Sequence, residues 1–141
     1  MDKLGLLLGA AIVAGSASTA FADDVALKSF HSGLCLSATS RGAVTQPCNG
    51  GDDQRFTVTA NGQITHAGKC LFGRKNGGPL AQSSCAAASA DEQWLFIGER
   101  VNLANGTCMD IENASKDAGA KVINAACTGS SNQQWIRASA K

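Results

Sequence analysis

Six cysteines fall into three evenly matched pairs, and this pattern constrains the chain more than any other feature. The pairs are Cys35 and Cys48, Cys70 and Cys85, and Cys108 and Cys127, with separations of 13, 15 and 19 residues. The first members stand 35 and 38 residues apart. The flanks repeat as well. Gly33, Gly68 and Gly106 each sit two residues before the first cysteine of a pair, and Leu36, Leu71 and Met109 follow it directly. Past each second cysteine comes an aromatic, Phe56, Trp94 or Trp135, preceded by Asp53-Gln54-Arg55, Asp91-Glu92-Gln93 or Asn132-Gln133-Gln134. Self-similarity at a period of about 40 residues is the signature of a repeat architecture. An even number of cysteines in a short chain points to an oxidising compartment.

Residues 1–22 stand outside the repeat. Lys3 gives a positive start, Leu4 to Ala14 is an apolar run, and Ala20-Phe21-Ala22 places small residues where a signal peptidase reads. The run is short for a bilayer span. The expectation is a signal peptide over 1–22, removed after Ala22, and one domain over 23–141 that is secreted or periplasmic. No later stretch is apolar for long enough to suggest a membrane span.

Within the domain, short β signals alternate with turn residues. Leu34-Cys35-Leu36, Ala43-Val44-Thr45, Phe56-Thr57-Val58 and Gly62-Gln63-Ile64 are examples, and Asn61-Gly62 reads as a tight turn. The best helical stretch, Asp117 to Ala126, contains Gly119 and has no capping pattern. The expected class is all-β with three-fold internal symmetry and units near 23–60, 61–98 and 99–141. A formal net charge of +1 argues against the basic surface that nucleic acid requires.

Gly-x-Cys-apolar, a second Cys, then Gln-x-aromatic, three times over, resembles the ricin-type β-trefoil lectins and carbohydrate-binding modules. The third unit matches best, with Cys108-Met109-Asp110-Ile111 and Asn132-Gln133-Gln134-Trp135. The second departs, because Glu92 stands where the motif has Gln. The resemblance implies a β-trefoil in which Gln54, Phe56, Trp94, Gln133 and Trp135 are structural. It also implies cystines within each unit, Cys35–Cys48, Cys70–Cys85 and Cys108–Cys127, from the 15 pairings six cysteines permit. A metal site is the rival use of the cysteines. It lacks a Cys-x-x-Cys spacing, and His31 and His66 occupy equivalent repeat positions, which favours a structural role. No metal and no other cofactor is expected.

A sugar site of this family takes a carboxylate just after the first cysteine, an aromatic just before the second, and an Asn or Asp ahead of Gln-x-aromatic. The carboxylate accepts from vicinal hydroxyls and the ring covers the apolar sugar face. The carboxylate position holds Ser37, Phe72 and Asp110; the ring position holds Gln46, Ser83 and Ala125. Only the third unit keeps the polar half, through Asp110, Asn132 and Gln133, and no unit keeps the ring. The leading expectation is a non-catalytic lectin for a glycan of galactose type, with at most one well-kept site. The alternative is a trefoil that has lost sugar binding and meets a protein partner, as a toxin or adhesin accessory subunit or an inhibitor. Neither Gly-x-Ser-x-Gly nor His-Glu-x-x-His occurs, and no acidic pair is placed for glycoside hydrolysis, so an enzyme is not expected.

Overall fold

The computed structural model describes residues 24–75, 77–86 and 89–140; the expected signal peptide over 1–22 lies outside them. Thirteen β-strands carry the described chain, with only three-residue 3-10 turns between them. The first unit contributes β1 (Asp24–Ser29), β2 (Cys35–Thr39), β3 (Gly42–Gln46) and β4 (Phe56–Val58). The second contributes β5 (Ile64–His66), β6 (Lys69–Phe72), β7 (Gly78–Pro79), β8 (Ala81–Ser83) and β9 (Trp94–Ile97). The third contributes β10 (Arg100–Leu103), β11 (Thr107–Ile111), β12 (Val122–Ala126) and β13 (Trp135–Ser139).

The first and last strands of each unit build a barrel. β1 pairs antiparallel with both β4 and β13, β4 with β5, and β9 with β10. Single bonds complete the ring. Trp94 N–H donates to the Gly62 carbonyl at 2.8 Å, and Trp135 N–H donates to the Glu99 carbonyl at 2.7 Å beside an Arg100–Gln134 bridge. Closure of this kind leaves the barrel without a free edge. The middle strands of each unit form three hairpins, β2–β3, β6–β8 and β11–β12. The fold is all-β with the three-fold internal symmetry of the repeat, and it is the β-trefoil that the family resemblance implied.

The core lies where barrel and hairpins meet. Phe56, Trp94 and Trp135 are buried with Leu27, Leu36, Ile64, Leu71, Leu103 and Met109. The two indoles are fixed alike: Trp94 Nε1–H donates to the Leu71 carbonyl at 3.0 Å and Trp135 Nε1–H to the Met109 carbonyl at 3.1 Å. Each acceptor is the apolar residue that follows a first cysteine, so the repeated Cys-apolar pair and the tryptophan of the same unit are one contact. Cystines join Cys35–Cys48, Cys70–Cys85 and Cys108–Cys127. Loops of this size contribute about 3 kcal/mol each in the chain-entropy picture. Within Asp117 to Ala126, residues 117–121 form a loop that leads into β12, Val122–Ala126, and no helix.

Candidate functional site

In the third unit, β11 is buried at all five positions. Met109 and Ile111 enter the core, and the two-residue period of a strand sends Cys108 and Asp110 to the other face. There Cys108 closes its cystine and Asp110 meets the 3-10 turn Ser131–Gln133. Gln133 Nε2 donates to Asp110 Oδ2 at 2.7 Å and to the Ala126 carbonyl at 2.8 Å. Gln133 Oε1 accepts from Thr128 N–H at 2.7 Å and from Gly129 N–H at 3.3 Å. Asn132 Nδ2 donates to Asp110 Oδ1 at 3.1 Å and to the Ile111 carbonyl at 3.2 Å. The three residues named from the sequence therefore meet in one cluster. Their roles differ. Gln133 is wholly buried and serves as a bracket, Asn132 is half-buried, and Asp110, 8% exposed, carries the only charge.

Burial raises the Asp110 carboxyl above its ordinary value of 3.8, against the opposing pull of the Gln133 and then the Asn132 amide. Each oxygen already accepts one N–H. A carboxylate offers about four acceptor directions, so two remain for donors arriving from solvent. Two fixed oxygens with two spare lone pairs suit a pair of neighbouring hydroxyls.

The other units show what the cluster requires. In the first, Gln54 keeps the bracket role, donating to the Pro47 carbonyl at 2.9 Å and accepting from Asn49 N–H at 2.9 Å. The facing residue is the buried Ser37, and the exposed Asp53 borders a cleft of about 460 Å³ with Gln46 and Asn49. In the second, Phe72 replaces the acceptor. Glu92 is buried there and accepts from Ala86 N–H at 2.7 Å. Asp91 is taken up by Asn105, whose Nδ2 donates to Asp91 Oδ1 at 2.7 Å and to the Gly73 carbonyl at 3.0 Å.

One residue at the third site was not singled out for it in the sequence. His31, from the turn after β1, sits with Nδ1 2.8 Å from Ser131 Oγ and Nε2 2.8 Å from the Ala114 carbonyl. The ring positions before the second cysteines hold no aromatic, and Phe30, next to His31, is 55% exposed. Among the described residues, the sulfurs of Cys70 and Cys85 lie within 4.8 Å of a Glu92 carboxylate oxygen, but both are engaged in their cystine.

A barrel capped by three cystine-bearing hairpins is the architecture of a β-trefoil domain. Residues 23–135 match the family described as ricin-type beta-trefoil lectin domain, and the chain belongs to that family. It is similar to beta-galactoside-specific lectin 4 of Viscum album, at 27% identity over 109 residues, 73% of this chain and 20% of that protein. The chain thus spans about a fifth of the curated relatives it matches. Among solved structures, the designed three-fold symmetric protein ThreeFoil superposes with a TM-score of 0.72 at 26% identity, covering 82% of this chain and 97% of its own. The earthworm R-type lectin C-half, determined with GalNAc, superposes with a TM-score of 0.73 at 17% identity, covering 83% and 98%. No helix of the described residues is long and apolar enough to cross a membrane.

Proposed function

We propose that the protein is a secreted, non-catalytic lectin that binds a glycan of galactose type through its third unit. Asp110 accepts two vicinal hydroxyls, Asn132 holds the carboxylate and offers its own polar edge to the sugar, and Gln133 fixes the geometry from below. The observation that carries this reading is the bracketed carboxylate. Both Asp110 oxygens are held by amide donors and both keep acceptor capacity. The sugar class is supported by relatives described as specific for β-galactosides and by a fold neighbour determined with GalNAc. Three cystines suit an extracellular setting.

The test is a glycan array with the oxidised protein beside Asp110→Ala. Losing two hydrogen bonds to a charged acceptor, each worth about 1.5–3 kcal/mol, lowers affinity at least about a hundredfold. Binding that survives the substitution places the site elsewhere. Absence of binding in the wild type overturns the lectin reading. The outer barrel face favours a protein partner in that case: Leu95 and Ile97 are 61% and 44% exposed beside a groove of about 460 Å³ lined also by Asn61, Gly62 and Ala104.

A further inference from the structure

We propose that His31, a residue of the first unit, is a positioning residue of the third unit's sugar site. This inference rests on the lectin reading above and adds to it a side chain from outside the unit. The site is walled by two segments: the turn Glu112–Ala114, which follows Asp110 and Ile111, and the turn Ser131–Gln133, which carries Asn132. Asn132 Nδ2 joins the two segments at the Ile111 carbonyl; farther out, His31 spans Ala114 and Ser131, at 2.8 Å to each. A carbonyl only accepts, so Nε2 carries a proton and donates to Ala114 O. Neutral Nδ1 then accepts from the Ser131 hydroxyl, and a protonated ring donates to it instead. The hydroxyl serves either state, so the bridge is a fixed strut.

The segment it holds needs holding. Asn113 and Ala114 both have left-handed backbone, with φ of 58° and 51°. A residue with a Cβ, Ala114 above all, adopts such a conformation where its surroundings impose it. Both residues are exposed, so packing does not impose it. His31 is itself anchored. Its N–H donates to Ser29 Oγ at 3.1 Å, and the neighbouring Phe30 N–H donates to the Gln134 carbonyl at 3.0 Å. The strut thus runs from barrel strand β1 across both walls of the site. A sugar held by Asp110 and Asn132 is confined by the gap between these walls, which His31 sets.

The experiment uses the full oxidised protein and N-acetyllactosamine as probe, by calorimetry, with His31→Phe, His31→Gln and Asp110→Ala. His31→Phe keeps a ring of similar size and loses both bonds; the expected result is a drop in affinity of about tenfold or more. In His31→Gln the amide N–H reaches Ala114 O and its oxygen reaches Ser131, so affinity returns to within about threefold of wild type. Amide hydrogen exchange without sugar is expected to rise at residues 113–115 in His31→Phe and to stay near wild type in His31→Gln. Wild-type affinity in His31→Phe, with Asp110→Ala inactive, overturns the role of His31 and leaves the lectin reading standing. Binding that is absent in the wild type, or indifferent to Asp110→Ala, overturns both.

Discussion

Asp110 answers two demands that oppose each other. On the lectin reading its carboxylate must be ionised to accept hydroxyls, yet it is buried far enough to resist ionisation. The Gln133 and Asn132 amides recover part of that cost by donating to the charged form. The pH dependence follows with opposite signs for stability and binding. Because the native carboxyl is raised, the folded chain holds this proton to a higher pH than the unfolded one. Within that window the native state binds more protons, so the Asp110 contribution to stability falls as pH rises through it. On the lectin reading, sugar binding at Asp110 does the reverse, since incoming hydroxyls are accepted best by the ionised form. Titrating N-acetyllactosamine affinity against pH is therefore expected to show loss on acidification with a midpoint above 3.8. A midpoint at or below that value would mean that burial does not govern the group. Asp110, Asn132 and Gln133 were all legible as a set, because each sits at a fixed offset from a cysteine or an aromatic. Their division of labour was not, since burial of Gln133 depends on Thr128, Gly129 and Ala126 folding around it.

At the scale of elements, the three units are joined by a repeated reach, from just ahead of each unit's first cysteine, into the preceding unit. His31 reaches Ala114 and Ser131, His66 Nδ1 lies 3.2 Å from the Arg55 carbonyl, and Asn105 reaches Gly73 and Asp91. The paired histidines were visible in the sequence as equivalent positions. Their partners lie up to 100 residues away and leave no local trace. β7 was also hidden: the sequence Asn76-Gly77-Gly78-Pro79 reads as a turn, while Gly78 and Pro79 pair with β12 as an edge strand, where a missing N–H is tolerated. The turn at Asn61-Gly62 was seen, but the chain stays in the turn through Gln63, because Thr59 N–H bonds the Gln63 carbonyl and delays β5 to Ile64. Gly62 is required twice over. Its φ is +84°, and an added Cβ would stand 2.6 Å from the Trp94 carbonyl at the β5–β9 seam. Gly106, at φ +97°, faces open space. Urea unfolding is expected to show Gly106→Ala costing about 1–2 kcal/mol, from backbone alone, and Gly62→Ala about 3 kcal/mol or more as seam strain is added. Equal costs would show that the seam is soft.

For the molecule as a whole, the question is whether three units in sequence are three units in stability. In linear repeat proteins each unit touches only its neighbours and the array can open from an end. Here the ends are joined, with β1 against β13 over five residue pairs. The middle is joined as well. The Ala43 N–H bonds the Leu80 carbonyl at 2.9 Å, and the Leu80 N–H bonds the Val122 carbonyl at 3.0 Å, so first, second and third units meet at one fully buried leucine. β7 of the second unit pairs with β12 of the third. No unit encloses a core of its own, since Phe56, Trp94 and Trp135 share one cluster. Unfolding one unit strips the others of strand partners and core contacts together, which is the condition for a single cooperative transition. The two tryptophans, one in β9 and one in β13, report on different units. With the cystines intact, Trp94→Phe and Trp135→Phe each leave a single indole. In each variant, its fluorescence and the far-UV circular dichroism are expected to give the same urea midpoint and slope. On the lectin reading, the same midpoint is expected for loss of sugar binding, because the strut proposed for His31 ties the third site to the first unit. A fluorescence transition that precedes the loss of β signal in either variant would mean that one unit opens alone, and that the ring joined through β1 and β13 does not enforce cooperativity.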